Sequence, residues 1–410
     1  MKPVNIRWVT LILLLSMLVN LAGCGGYTVQ AEDLMKDIEP AKVQGKEADD
    51  TFREAQMAFA LELFRQSAGR SEKENVLVSP LSMMLVLAMT ANGAEGDTKA
   101  EMEAMLGLPI AELNEYLYSY VNALPSTKKS KMQIANSIWM RQNDLTVKKD
   151  FLQANANYYG ADAYQGPFDA QTLKDINGWV EDKTDGMIEK IIDVLDPSAA
   201  MVIVNTVLFD AKWDTAYRDS QVISDTFHAY SGEEQSVKMM HSSEYRYIAD
   251  KYATGFLKHY KDKNYSFAAL LPNEGLDVYD YISSLDGKKL LATLENVSSE
   301  KVSVGIPRFS HEYSLVMNDV LQAMGMESAF GADADFSAMA EQAVYIDEVL
   351  HKTYIEVTEK GTRAAAASST ATKNAGIEDP KVVYLDRPFV YMIIDNQTNL
   401  PIFMGVVTQI

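Results

Sequence analysis

The chain predicts an α+β fold on three observations: helical segments crowd its first half, strand segments crowd its second, and the apolar run at 200–209 shows no alternation. A strand without alternation is buried on both faces, which puts it in the middle of a sheet covered by helices. Helices mostly first and strands mostly last is not the pattern of a doubly wound βαβ repeat. At 410 residues, 47% hydrophobic and 23% charged, the chain is long enough for one large or two ordinary domains. No linker-like stretch interrupts it after residue 51, so one large domain is expected.

The N-terminus stands apart. Lys2 and Arg7 precede an apolar run at 9–19, and Leu21-Ala-Gly-Cys24 closes it, the layout of an export signal. The run is shorter than the ~20 residues a membrane span needs. It resembles a bacterial lipoprotein signal, which implies removal of residues 1–23 and acylation of Cys24, the chain's single cysteine. An exported protein, lipid-anchored to the bacterial cell envelope or surface, is then expected. Residues 24–50 mix glycine, charge and few apolar side chains and read as the acylated cysteine followed by a flexible tether. Loss of Lys2 and Arg7 takes the formal charge from -20 to -22. So acidic a surface repels phosphate backbones and heparin-like polyanions, and no cluster of basic and aromatic residues interrupts it.

Order is expected from residue 51, where Phe52, Ala55, Phe59, Leu63 and Phe64 share one helical face. Ser79-Pro80 reads as an N-cap followed by proline at the first helical position. The helix it opens is apolar almost all round and belongs in the centre of the domain. Further helices are predicted at 98–106, 111–124, 149–159, 173–184 and 313–324. Strands are predicted at 133–140, 200–209, 266–271, 302–306 and 344–359, with a C-terminal hairpin from 389–394 and 401–407.

Catalytic signatures are missing. The sequence contains no Gly-x-Ser-x-Gly, no phosphate-binding Gly-x-x-x-x-Gly-Lys-Ser/Thr and no His-Glu-x-x-His. None of the five histidines, His228, His241, His259, His311 and His351, is spaced from another by one helical turn, so neither a metal site nor any cofactor is indicated. Ser79, Ser82 and His351 read as a structural hydrogen-bond cluster rather than as nucleophile and base. An enzyme is not expected.

One stretch does point to function. Glu359-Lys-Gly-Thr-Arg-Ala-Ala-Ala-Ala-Ser-Ser-Thr-Ala-Thr372 joins a β-branched strand to a run of small residues. It reads as a linker or as a strand held in reserve. Six separated segments then decide the family: Val383-Tyr-Leu-Asp-Arg-Pro-Phe-Val-Tyr-Met-Ile393, Asn75-Val-Leu-Val-Ser-Pro-Leu-Ser82, Val204-Asn-Thr-Val-Leu-Phe-Asp-Ala-Lys-Trp213, Leu270-Leu-Pro-Asn273, Ile306-Pro-Arg-Phe309 and His351-Lys-Thr-Tyr-Ile-Glu-Val-Thr-Glu-Lys-Gly-Thr362. Through them the chain resembles a serpin over residues 51–410.

The resemblance implies three β-sheets surrounded by helices, with an exposed reactive loop at about 360–382. It further implies a suicide-substrate inhibitor of serine, or papain-like cysteine, proteases. In that mechanism the cleaved loop inserts into the main sheet and carries the acylated protease with it. The alternative is a non-inhibitory binding or scaffold protein on the same fold. Residue by residue, the hinge maps to Glu359, Gly361, Thr362, Ala364, Ala365, Ala366 and Ala367. Arg308 stands for the cationic partner of Glu359, Ser79, Ser82, Asn205 and His351 for the shutter, and Trp213 for the breach. The family's usual spacing from the hinge glycine sets the cut between Ala375 and Gly376, with Asn374 and Ile377 as alternatives. A small Ala375 suits an elastase-like or subtilisin-like target. A monomer is expected.

Strand geometry adds a mechanism to the hinge. Side chains alternate faces along a strand, so Thr362, Ala364, Ala366, Ser368, Thr370, Thr372 and Asn374 would point inward and none is large. Arg363 and Lys373 fall on the outward parity, where their charges stay in solvent.

Overall fold

A computed structural model of the chain describes residues 27–142, 145–362 and 381–410. The expectations placed on residues 1–26, Cys24 among them, and on 363–380, including Ala364, Ala365, Ala366, Ala367, Asn374, Ala375, Gly376 and Ile377, lie outside the described residues.

The chain runs through β1 (Glu32–Asp33), α1 (Asp50–Gly69), β2 (Val76–Val78), α2 (Pro80–Ala91), α3 (Gly96–Leu106) and α4 (Ile110–Ala123). Next come β3 (Ser130–Arg141), α5 (Lys149–Tyr159), β4 (Asp162–Gly166), α6 (Ala170–Lys183) and β5 (Met201–Lys212). A strand-rich stretch follows: β6 (Val222–His228), β7 (Glu234–Glu244), β8 (Tyr247–Ala249), β9 (Ala253–His259) and β10 (Tyr265–Pro272). After α7 (Val278–Ser284) and α8 (Gly287–Glu295) come β11 (Val302–Pro307), β12 (Phe309–Val316) and α9 (Asn318–Ala323). The chain closes with β13 (Glu348–Thr358), β14 (Gly361–Thr362), β15 (Lys381–Tyr384), β16 (Phe389–Asp395) and β17 (Pro401–Val407).

These strands form three sheets. The main one has the order β1-β4-β3-β5-β14-β13-β12; a second is β2-β17-β16-β10-β9-β8, and a third β15-β11-β7-β6. Strand β5 lies at the centre of the first and is buried through its first nine residues. Its alternate side chains feed two cores. Met201 and Ile203 join the large core between the sheets, while Val202 and Val204 join Trp139, Ile176, Trp179 and Val180 beneath α6. Helix α2 is buried along all its residues, as a helix with no polar face must be.

Three local expectations are corrected. Residues 313–324 do not form one helix. The stretch 309–316 is strand β12, whose side chains alternate between inward and exposed and which pairs antiparallel with β13 from Phe309↔Val357 to Val316↔Leu350. Only Asn318–Ala323 is helical. The apolar positions 313, 317, 320, 321 and 324 imitate a helical stripe, but an open sheet edge supplies ladder partners that the pattern does not reveal.

Ser79 holds the N-cap position of α2 without capping it. Its Oγ donates instead to the carbonyl of Ile402 at 2.8 Å.

The third correction concerns 24–50. From Tyr27 onward the segment is docked, not loose. Strand β1 adds to the main sheet by pairing with β4. The Asp175 carboxylate, 1% exposed on α6, accepts hydrogen bonds from Tyr27 Oη at 2.9 Å, Gln30 N at 3.0 Å and Ala31 N at 2.8 Å. The Tyr27 ring occupies the notch left by Gly178, where a Cβ would come within 2.5 Å of it. Farther on, Ala41 N donates to Asn157, and Lys46 pairs with Glu112 and faces the Tyr116 ring. A polar segment thus gains order from a single buried carboxylate with several donors. Asp175→Ala leaves those donors unpaired, a loss of about 1–3 kcal/mol. Limited proteolysis should then cut between residues 27 and 48 under conditions in which the unaltered chain resists.

Candidate functional site

The main sheet is incompletely zipped at its centre. Strands β5 and β13 pair in parallel only from Val202↔Glu348 to Thr206↔Lys352. Above that point β5 meets β14, antiparallel, through Lys212↔Gly361 and Ala211↔Thr362, and β14 pairs with β13 through Thr358↔Gly361 and Val357↔Thr362. A two-residue strand therefore sits as a wedge between two strands that are ladder partners lower down.

The corner that forms the wedge is held by the turn after β5. Trp213 N donates to the carbonyl of Lys360 at 2.9 Å, Tyr217 N to that of Glu359 at 2.8 Å, and Trp213 Nε1 to that of Thr358 at 2.8 Å. Glu359 also forms an ion pair with Arg308. Burial works to raise the Glu359 carboxyl, but hydrogen bonds from its own backbone and from Arg308 outweigh that and hold it below the usual carboxylate range. Gly361 adopts φ +153°, and a Cβ there would lie 2.1 Å from the carbonyl oxygen of Ala211, so only glycine fits this close approach.

Thr362 is 2% exposed and points into the core. Its Oγ1 lies 2.6 Å from Tyr260 Oη, and the Tyr260 ring stacks on Trp213 with centroids 4.6 Å apart. Burial pushes the Tyr260 phenol upward, so it remains protonated and hydrogen-bonded. Tyr260 was not singled out in the sequence, because nothing about a tyrosine beside an aromatic strand marks it as a hinge contact.

Below the wedge lies a second cluster, built where β5 and β13 still pair. His351 stands opposite Asn205 in the ladder. His351 Nε2 accepts from Ser79 N at 3.1 Å, which leaves Nδ1 to donate to Asn205 Oδ1 at 3.0 Å. Asn205 Nδ2 in turn donates to the carbonyl of Ser82, to Ser82 Oγ and, at 2.6 Å, to Asn136 Oδ1. The network ties the two central strands to α2 and to β3; Asn136 was not anticipated. Ser79, Ser82, Asn205 and His351 are all buried. This arrangement has no nucleophile with a free base: the one acceptor nitrogen of His351 is taken by a backbone N–H.

The architecture is one of three sheets, with a wedge between the central strands of the main one and a strand-turn-strand corner above it. The chain matches the family model described as "Serpin (serine protease inhibitor)" over residues 54–410. It belongs to the serpin family. It is 33% identical over 361 residues to an uncharacterised serpin-like protein of Thermococcus kodakarensis, covering 85% of this chain and 83% of that one. Among solved structures it is similar to the thermophilic serpin tengpin in its native state, with TM-score 0.90 and 46% identity over 93% of this chain and 100% of that one. It is also similar to thyroxine-binding globulin in complex with thyroxine, with TM-score 0.78 and 26% identity over 87% of this chain and 98% of that one.

The buried cluster has a pH signature. Desolvation lowers His351 from 6.5 to about 4, and His311 likewise. A histidine depressed in the fold stays neutral there while the unfolded chain takes up a proton below pH 6.5. Its stabilising contribution is thus present above that pH and lost as pH falls toward 4. For His351 the loss amounts to roughly 3 kcal/mol across this window. Thermal melts from pH 7 to pH 4 should therefore show a steep decline in the parent protein and a shallower one in His351→Gln. Equal slopes would assign the titration elsewhere.

Proposed function

We propose that the chain is a single-use inhibitor of serine proteases, with papain-like cysteine proteases as further targets, that acts by inserting its cleaved reactive loop between β5 and β13. The observation that carries this reading is Thr362, already paired on both sides and seated against Tyr260. Insertion is thereby begun, and continuing it needs no new nucleation. Extending the register would bring residue 363 opposite Asp210 of β5 and Glu356 of β13. These two carboxylates share the parity of the Arg363 guanidinium, and cross-strand pairs of opposite charge favour a ladder. The next inward residues are alanines, so no bulky side chain has to be forced into the core. A cut at Ala375 and Gly376, with Asn374 or Ile377 as the neighbouring frames, suits an elastase-like or subtilisin-like protease. Acylation of Cys24 would hold this inhibitor at the cell envelope.

The likeness to thyroxine-binding globulin supports a second reading, a serpin-fold binding or scaffold protein that does not trap proteases. The two separate in one experiment. Incubation with subtilisin or pancreatic elastase should yield a complex that survives SDS, and the loop-cleaved protein should melt well above the intact one. Cleavage with no complex and no gain in stability favours the binding protein. Thr362→Arg puts a charge on the inward face at the first step, a penalty of several kcal/mol. That variant should be cleaved at the same bond and turned over as a substrate without trapping the protease.

A further inference from the structure

Near the corner that holds the hinge lies an ion pair between a buried lysine and a partly buried glutamate that the insertion mechanism does not by itself require. Lys258, on β9, is 3% exposed, and its Nζ lies 2.7 Å from Glu244 Oε1 at the end of β7. Ser242 Oγ donates to the same oxygen at 2.6 Å. The ammonium also sits 4.6 Å from the centre of the Tyr217 ring and 5.5 Å from that of Trp213. Burial acts to depress this lysine, but Tyr217 and Glu244 together outweigh it, and the net displacement is upward. The lysine therefore stays charged.

Its position in the fold gives it a task. Lys258 and Tyr260 are two residues apart and approach the same Trp213 ring, so one stretch of backbone carries both supports of the turn at Trp213 and Tyr217. Tyr260 supports it through stacking and grips Thr362, the last described residue before the loop. Lys258 supports it through Tyr217, whose amide holds the carbonyl of Glu359. Glu244 belongs to another sheet. In its ladder Val302 is paired with Glu244 on one side and with Lys381 on the other, and Lys381 is where the loop returns to the described fold. The ion pair thus joins the segment of β9 and Tyr260, whose tyrosine hydroxyl meets Thr362, to the sheet that carries Lys381.

We propose that Lys258 and Glu244 are positioning residues for loop insertion: their ion pair keeps the two roots of the reactive loop, Thr362 and Lys381, in fixed relation and keeps the hinge seated. This rests on the inhibitory reading above. Without the pair, Tyr217 loses its cationic contact and the turn loosens its hold on the carbonyls of residues 358–360. Thr362 then unseats, and insertion slows relative to release of the protease.

Removing one partner would strand a buried charge and risk the fold, so the test uses the full chain with Lys258→Met and Glu244→Met together, a replacement that buried pairs commonly tolerate. Hydrogen exchange at the amides of Trp213 and Tyr217 should quicken by about tenfold while β16 is unchanged. With subtilisin as the probe, the moles of inhibitor consumed per mole of protease trapped should rise by roughly threefold, with the same bond cut, because slower insertion shifts the kinetic partition. Unchanged exchange at the two amides would overturn the positioning role. Faster exchange with unchanged stoichiometry would overturn its link to insertion. If the parent chain traps no protease, the inhibitory reading fails and with it the link to insertion, while the exchange data still decide whether the pair holds the hinge.

Discussion

The rest of the structure depends on one incomplete ladder. Strands β5 and β13 pair for five residues and then give way to a two-residue wedge. A sheet in this condition sits between two ways of satisfying its backbone: closing fully on itself or taking in another strand. Backbone N–H and C=O groups in a protein interior need partners, and β14 supplies them where β5 and β13 part. What keeps the native arrangement is the corner at Thr358 to Thr362 and the hydrogen-bonded cluster of Ser79, Ser82, Asn205 and His351 below it.

The two holding points rely on different physics. The upper corner is built from backbone donors of Trp213 and Tyr217, from aromatic stacking on Tyr260 and from the ion pair of Arg308 with Glu359. It borders solvent, so its individual charges are worth little, and its strength lies in several contacts converging on four residues. The lower cluster is wholly buried. Each polar atom there is costly to leave unpaired, so the network behaves as a closed unit that opens all at once or not at all.

Much of the fold was legible in the sequence. Helix α2 is apolar on every side and β5 does not alternate, and both patterns admit only a central, doubly covered position. Glycine at 361 and the inward side of Thr362 were likewise legible, because parity along a strand is local. The docked arm at 27–49 was not. Its few apolar residues resemble a linker, and its order comes from Asp175 and the notch at Gly178, more than 140 residues away. Residues 309–316 misled for a related reason: periodicity admitted a helix, and the partner that made them a strand was β13.

The sequence by itself determined the α+β class, the central helix and strand, the family resemblance and the run of small residues that can be buried in a sheet, since each follows from local pattern or composition. Only the tertiary structure decided that Gly361 and Thr362 pair with both β5 and β13, which side chain meets Thr362, and that Lys258 finds Glu244 on another sheet. Those contacts pair strands distant in sequence, and neither periodicity nor propensity carries information about which distant strand will arrive at a given edge.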